Sequence, residues 1–174
     1  MKVKRISIVI ALVLTVMVIA ETADLRLDLS YDVLSLQATP VSVKTVGFDL
    51  DYFSPPQRNV SMGLGLGWKW LMPESTETAL IDDTTPGNLF ELYSAAVYRG
   101  RISESMGIEI LSRGGVAVPD FKFDLTGYFA EVNVLFGVVF YGLDFRFGFG
   151  VKMYSFGDTS LTQIPIKLSV GKVF

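Results

Sequence analysis

Residues 63–70 read GLGLGWKW. Gly63, Gly65 and Gly67 alternate with Leu64, Leu66 and Trp68, and Lys69 and Trp70 follow. A phosphate-binding loop would set its glycines at a strand-to-helix turn, where backbone N–H groups converge on the ligand. No helical periodicity follows Trp70; a polar segment does. The i, i+2 spacing instead puts the three glycines on one face of an extended strand, together with Ser61 and Lys69. Val60, Met62, Leu64, Leu66, Trp68 and Trp70 take the other face. The fold then depends on which solvent meets which face.

The same period of two recurs along the chain. Leu25, Leu27, Leu29, Tyr31 and Val33 oppose Arg26, Asp28, Ser30 and Asp32. Val46, Phe48, Leu50 and Tyr52 oppose Gly47, Asp49 and Asp51. Within 89–99, Phe90, Leu92, Ala96 and Tyr98 oppose Glu91, Tyr93, Ala95 and Arg99. Within 102–112, Ile102, Met106, Ile108 and Ile110 oppose Ser103, Ser105, Gly107 and Glu109. Within 123–136, Tyr128, Ala130, Val132 and Val134 oppose Gly127, Phe129, Glu131 and Asn133. Tyr141, Leu143, Phe145, Phe147, Phe149, Val151 and Met153 oppose Gly142, Asp144, Arg146, Gly148, Gly150 and Lys152. Finally Ile164, Ile166, Leu168 and Val170 oppose Pro165, Lys167, Ser169 and Gly171. These segments predict an eight-stranded, all-β sheet. A phase change between Phe136 and Tyr141 leaves room for one more hairpin, which would make ten strands.

The connections alternate in length. Short turns are expected at 54–58, near Gly100 and at 137–139, and longer loops at 72–87, 113–122 and 155–163. Short turns at one end and long loops at the other are the habit of up-and-down membrane barrels. The first connection, 37–40, is short where the rhythm asks for a long one.

Residues 1–20 differ from the rest. A basic start, MKVKR, precedes the apolar run ISIVIALVLTVMVIA, and Val18 and Ala20 supply the small residues of a cleavage site. This predicts a secretory signal peptide, residues 1–20, cleaved near Ala20 and followed by one domain over 21–174. The run is too short for a membrane-spanning helix. Without residues 1–20 the chain holds 12 basic and 18 acidic residues, a net charge of −6. An acidic secreted chain is a poor ligand for nucleic acid. Histidine and cysteine are both absent, which excludes disulfides, thiolate zinc sites and any triad that needs histidine.

Alternation alone does not say which face is inside. Glycines at 63, 65, 67, 142, 148, 150 and 171 suit a narrow interior better than a soluble surface. Bulky aromatics gather near strand ends: Trp68, Trp70, Phe90 and Tyr154 towards the loops, and Tyr52, Tyr98, Tyr141 and Phe174 towards the turns. Two such groups match the aromatic girdles of a membrane barrel. The reading is therefore apolar-out, with the charges in the lumen. That lumen holds Asp28, Asp49, Asp51, Lys69, Glu91, Glu109, Glu131, Asp144, Arg146, Lys152 and Lys167, beside Arg26, Asp32 and Arg99. Buried charges need partners, so the near balance points to a salt-bridged plug. Asp49 and Asp51 share a face as an acid–base pair would, but ion pairing in the lumen is the preferred reading. Asp82 and Asp83, with Glu74 and Glu77, fit no calcium-loop spacing and read as a solvated acidic loop. No catalytic residue, cofactor or metal is implied.

With the signal peptide, the alternating strands and the terminal KLSVGKVF, the chain resembles small bacterial outer-membrane β-barrels of the OmpA/OmpX type. The resemblance implies an antiparallel up-and-down transmembrane barrel in the outer membrane, surrounded by lipid. It also implies that Ile166, Leu168, Val170 and Phe174 form the signal read by the barrel assembly machinery. The function implied is structural or surface-interacting, through extracellular partners at loops 72–87, 113–122 and 155–163. Two alternatives stay open: a narrow pore or carrier for small or apolar molecules, and a soluble periplasmic barrel that binds lipid.

Overall fold

The computed structural model describes residues 24–36, 43–73 and 87–172. The described chain forms a closed antiparallel barrel of eight strands. The strands are β1 (Asp24–Leu36), β2 (Val43–Phe53), β3 (Val60–Pro73), β4 (Asn88–Arg101), β5 (Met106–Pro119), β6 (Gly127–Phe140), β7 (Leu143–Phe156) and β8 (Thr159–Lys172). Each pairs with its sequence neighbour, and β1 closes the ring on β8 through partners such as Leu29 and Leu168. Closure leaves no free edge, which is what a sheet surrounded by lipid requires. The ten-strand option is therefore set aside. The signal peptide, the first connection, the acidic residues 74–86 and Phe174 lie outside the described residues.

The GLGLGWKW stretch lies in β3 in the register its alternation implies. Gly65 and Gly67 face inward opposite Asp51 and Asp49 of β2, and Leu64 on the outer face is 66% exposed. Leu92, Val132, Phe147 and Leu168 are likewise exposed on the outer wall. The barrel is thus apolar outside and charged inside. A soluble lipid-binding barrel would be built the other way round, so that alternative does not fit.

Four expectations about connections are corrected. Residues 113–119 belong to β5, so the fifth connection is only Asp120–Thr126, with a 3-10 turn at Phe123–Leu125. Residues 155–163 are likewise almost all strand, and β7 and β8 are joined by Gly157–Asp158 alone, with Gly157 at φ +56. Glycine at the first of two central positions is what a tight hairpin turn of this kind takes. The sixth turn is Tyr141–Gly142, not 137–139, and both residues have positive φ. A two-residue turn pairs Phe140 with Leu143, so even-numbered residues face out on β6 and odd-numbered ones on β7. That hairpin accounts for the phase change. The fourth turn lies at 102–105 rather than at Gly100, and Ile102 there is a turn residue.

Candidate functional site

The site is the barrel interior. Eight strands leave a lumen that side chains can fill. Inward positions bring Asp28, Asp49, Asp51, Lys69, Glu91, Glu131, Lys152 and Lys167 into one buried network. At its centre is Arg113, a residue of β5 and not of the loop expected at 113–122. Its guanidinium donates to Asp49 at 2.8 Å, and to Asp28 and Asp51. Asp28 is on β1 and Arg113 on β5, opposite staves of an eight-stave ring, so this contact crosses the full diameter. The Tyr93 ring supports the guanidinium, 5.1 Å from its centroid. Gly65 lets that ring approach, since a Cβ there would stand 2.2 Å from it.

Lysines continue the network towards the loop end. Lys69 donates to Asp49 at 2.6 Å and to the Ser30 hydroxyl at 2.8 Å. Lys167 bridges Asp49 at 3.0 Å and Glu131 at 2.6 Å. Lys152 holds Glu91 at 2.7 Å, and the Tyr154 hydroxyl donates to the same carboxylate at 2.6 Å. Above them Leu89, Ala117, Phe129, Tyr154 and Leu161 pack together inside the wall, with Leu71 and Phe156 against them. Tyr154 is thus a lumen residue, 2% exposed, and not part of a girdle. Strand parity places it beside Lys152, facing inward.

A second cluster lies near the turn end. Glu109 of β5 accepts from Arg26 of β1, again across the diameter, with one contact at 3.0 Å. Arg99 reaches the same carboxylate at 3.2 Å, and Arg146 pairs with both Glu109 and Asp144. Arg26 and Arg99 both stack on the Phe53 ring. Beyond them a cavity of about 280 Å³ opens between Arg99, Glu109, Asp144 and Arg146. Counting Arg113, the described inward side chains hold seven carboxylates and seven cations. Such balance matters, because an unpaired buried charge costs several kcal/mol whereas a fully paired one is tolerated.

Other aromatics lie on the outer wall. Trp68, Trp70 and Phe90 cluster at the loop end with Phe48 and with Phe121 of the fifth connection, ring centroids 5.5 to 6.5 Å apart. The Trp68 indole N–H donates to Asn88 at 3.2 Å. Tyr52 and Tyr98 face out at the turn end. Tyr141 is in the β6–β7 turn, 89% exposed, not on a strand. Ile166, Leu168 and Val170 lie on the outer face of β8.

An all-β closed barrel with an apolar exterior and an ion-paired interior is the construction of a transmembrane β-barrel. Solved structures with a related chain path are the following. Neisserial surface protein A (NspA) superposes with a TM-score of 0.64 at 11% identity, over 88% of this chain and 98% of that one. Ail, the attachment invasion locus protein of Yersinia pestis, matches at 0.44 and 14% identity, over 87% of this chain and 96% of that one. A de novo designed transmembrane β-barrel matches at 0.44 and 13% identity, over 86% and 94%. No family model and no curated sequence matches the chain. The fold is that of the small eight-stranded outer-membrane barrels.

Proposed function

We propose that this protein is a bacterial outer-membrane barrel with a closed lumen, working as a structural or surface-interaction protein through its loop end. One observation carries the reading: two salt bridges, Arg113–Asp28 and Arg26–Glu109, cross the whole lumen and leave its centre filled with paired charge. Such a bore suits an anchor and a platform better than a channel. NspA's description as a surface protein supports the same role. Residues 1–20 direct export, the barrel assembly machinery inserts the chain through the β8 signal, and surrounding lipid covers the outer wall. Partners engage the connections at 74–87, 120–126 and 157–158. The turn-end cavity favours a second reading, a carrier that takes a small molecule from the inner side.

Cell fractionation with a heat-modifiability gel tests the first reading. The protein is expected in the outer-membrane fraction, with its unboiled band shifted relative to the boiled one. Recovery in the soluble periplasmic fraction without detergent would overturn it.

A further inference from the structure

The β5–β6 connection is small and tightly constrained. Asp120 and Phe121 both adopt positive φ, +43° and +59°. Non-glycine residues rarely do so, and surrounding contacts must hold them there. The Asp120 carboxylate accepts from the backbone N–H groups of Asn88 at 2.9 Å and Gly87 at 3.1 Å. The Asp120 N–H donates to the Asn88 carbonyl at 3.0 Å. Lys122 N–H donates to the Pro119 carbonyl at 2.7 Å, and the Thr126 hydroxyl donates to the Phe123 carbonyl at 2.7 Å.

These restraints aim aromatic surface outward. The Phe121 ring lies between Trp68 and Phe90, with centroids at 5.5 and 5.6 Å. Phe123, two residues on, is 76% exposed, and Tyr128 near the start of β6 is exposed as well. Lys122, between the two phenylalanines, is exposed too. A loop made only to meet water has no use for such an arrangement, because an exposed phenyl gains free energy only when something apolar covers it. Phe121 ties the loop to the outer wall at Trp68 and Phe90, and Phe123 presents a further exposed ring two residues on. Lys122 precedes the Phe123 wedge and the exposed Asp124 follows it, so the cation on the Phe121 side is the one available to a charged bilayer surface.

We infer that the β5–β6 connection is a rigid interfacial anchor for an anionic lipid: Phe123 enters the boundary of the acyl chains, and Lys122 meets the negatively charged headgroup. The inference rests on the membrane reading above. It gives that reading a specific lipid-contact residue on a connection that would otherwise be assigned to water.

The chain has no cysteine, so single cysteines carry a nitroxide label without background. Phe123→Cys, Asp158→Cys and Leu66→Cys are labelled and reconstituted in phosphatidylcholine vesicles with and without phosphatidylglycerol. Collision with oxygen and with a water-soluble nickel complex then reports depth. Position 123 is expected at the headgroup–acyl boundary, Leu66 deep in the bilayer, and Asp158 in water. If 123 is as aqueous as 158 while 66 is deep, the anchor is refuted and the membrane barrel stands. If 66 is also aqueous, the membrane reading itself fails. Adding Lys122→Glu should move the 123 label towards water only when phosphatidylglycerol is present. An equal change in both vesicles, or none in either, would overturn the role given to the anionic headgroup.

Discussion

Replacing Arg113 with methionine removes the centre of the lumen network while keeping much of its volume. Arg113 contacts Asp28, Asp49 and Asp51. Asp49 keeps Lys69 at 2.6 Å and Lys167 at 3.0 Å. Asp28 and Asp51 have no other salt bridge among the described residues, so the variant strands two buried carboxylates. Removing one partner of a buried pair costs about 3–5 kcal/mol. At about 1.4 kcal/mol per tenfold, that weakens folding roughly a hundred- to several-thousand-fold. With a urea slope near ~2 kcal/mol per M, the unfolding midpoint should fall by about 2 M. Trp68 and Trp70 fluorescence in vesicles follows the transition, and the heat-modifiable band confirms that the starting state is folded. Adding Asp51→Asn to Arg113→Met should recover part of the loss, since it removes one stranded charge. Arg113→Lys should not restore full stability, because an ammonium lacks the planar fork that serves several carboxylates at once. A midpoint for Arg113→Met within error of the parent, with the barrel folded, would refute the claim that this network holds the lumen together.

Three further substitutions probe other parts of the barrel. Arg146→Ala should destabilise less than Arg113→Met, by about 1–3 kcal/mol, because Glu109 keeps Arg26 and Arg99; the same urea titration ranks the two. Gly148→Ala should cost about 1–3 kcal/mol, since its Cβ would stand 2.0 Å from the Val134 carbonyl oxygen on β6, and a normal midpoint would count against the close approach of those strands. Leu66→Arg, on the outer wall of β3, should cost about 2–4 kcal/mol in vesicles if that wall meets the bilayer core, whereas no cost would mean that it faces water.

The sequence made the middle of most strands legible, because bulky and small or charged residues alternate cleanly there. β3 is the plainest case: its glycines leave room for Tyr93, Asp49 and Glu91, so the bare face and the crowded lumen are one fact. Strand ends were less legible. Arg113, Gly114 and Gly115 read locally as a turn, yet they continue β5, where neighbouring strands supply the ladder partners. Leu111, Leu135 and Val97 also break the rule, being apolar but inward. The rule holds where charges fill the bore and relaxes where a small lumen packs like a core. Extending the inward parity of Glu109 by two steps would have reached Arg113. The polar stretch from Ser155 to Gln163 imitated a loop because polar residues such as Ser155, Thr159, Ser160 and Thr162 hold its strand positions. Only the Gly157–Asp158 pair marked the true turn.

The central claim is that the bore is closed by paired charge within an apolar, lipid-facing wall. Planar-bilayer recording on the purified protein, with folding verified by heat-modifiability, tests it most directly. A baseline without steady single-channel steps is expected. Reproducible steps of fixed size from the folded protein would contradict it.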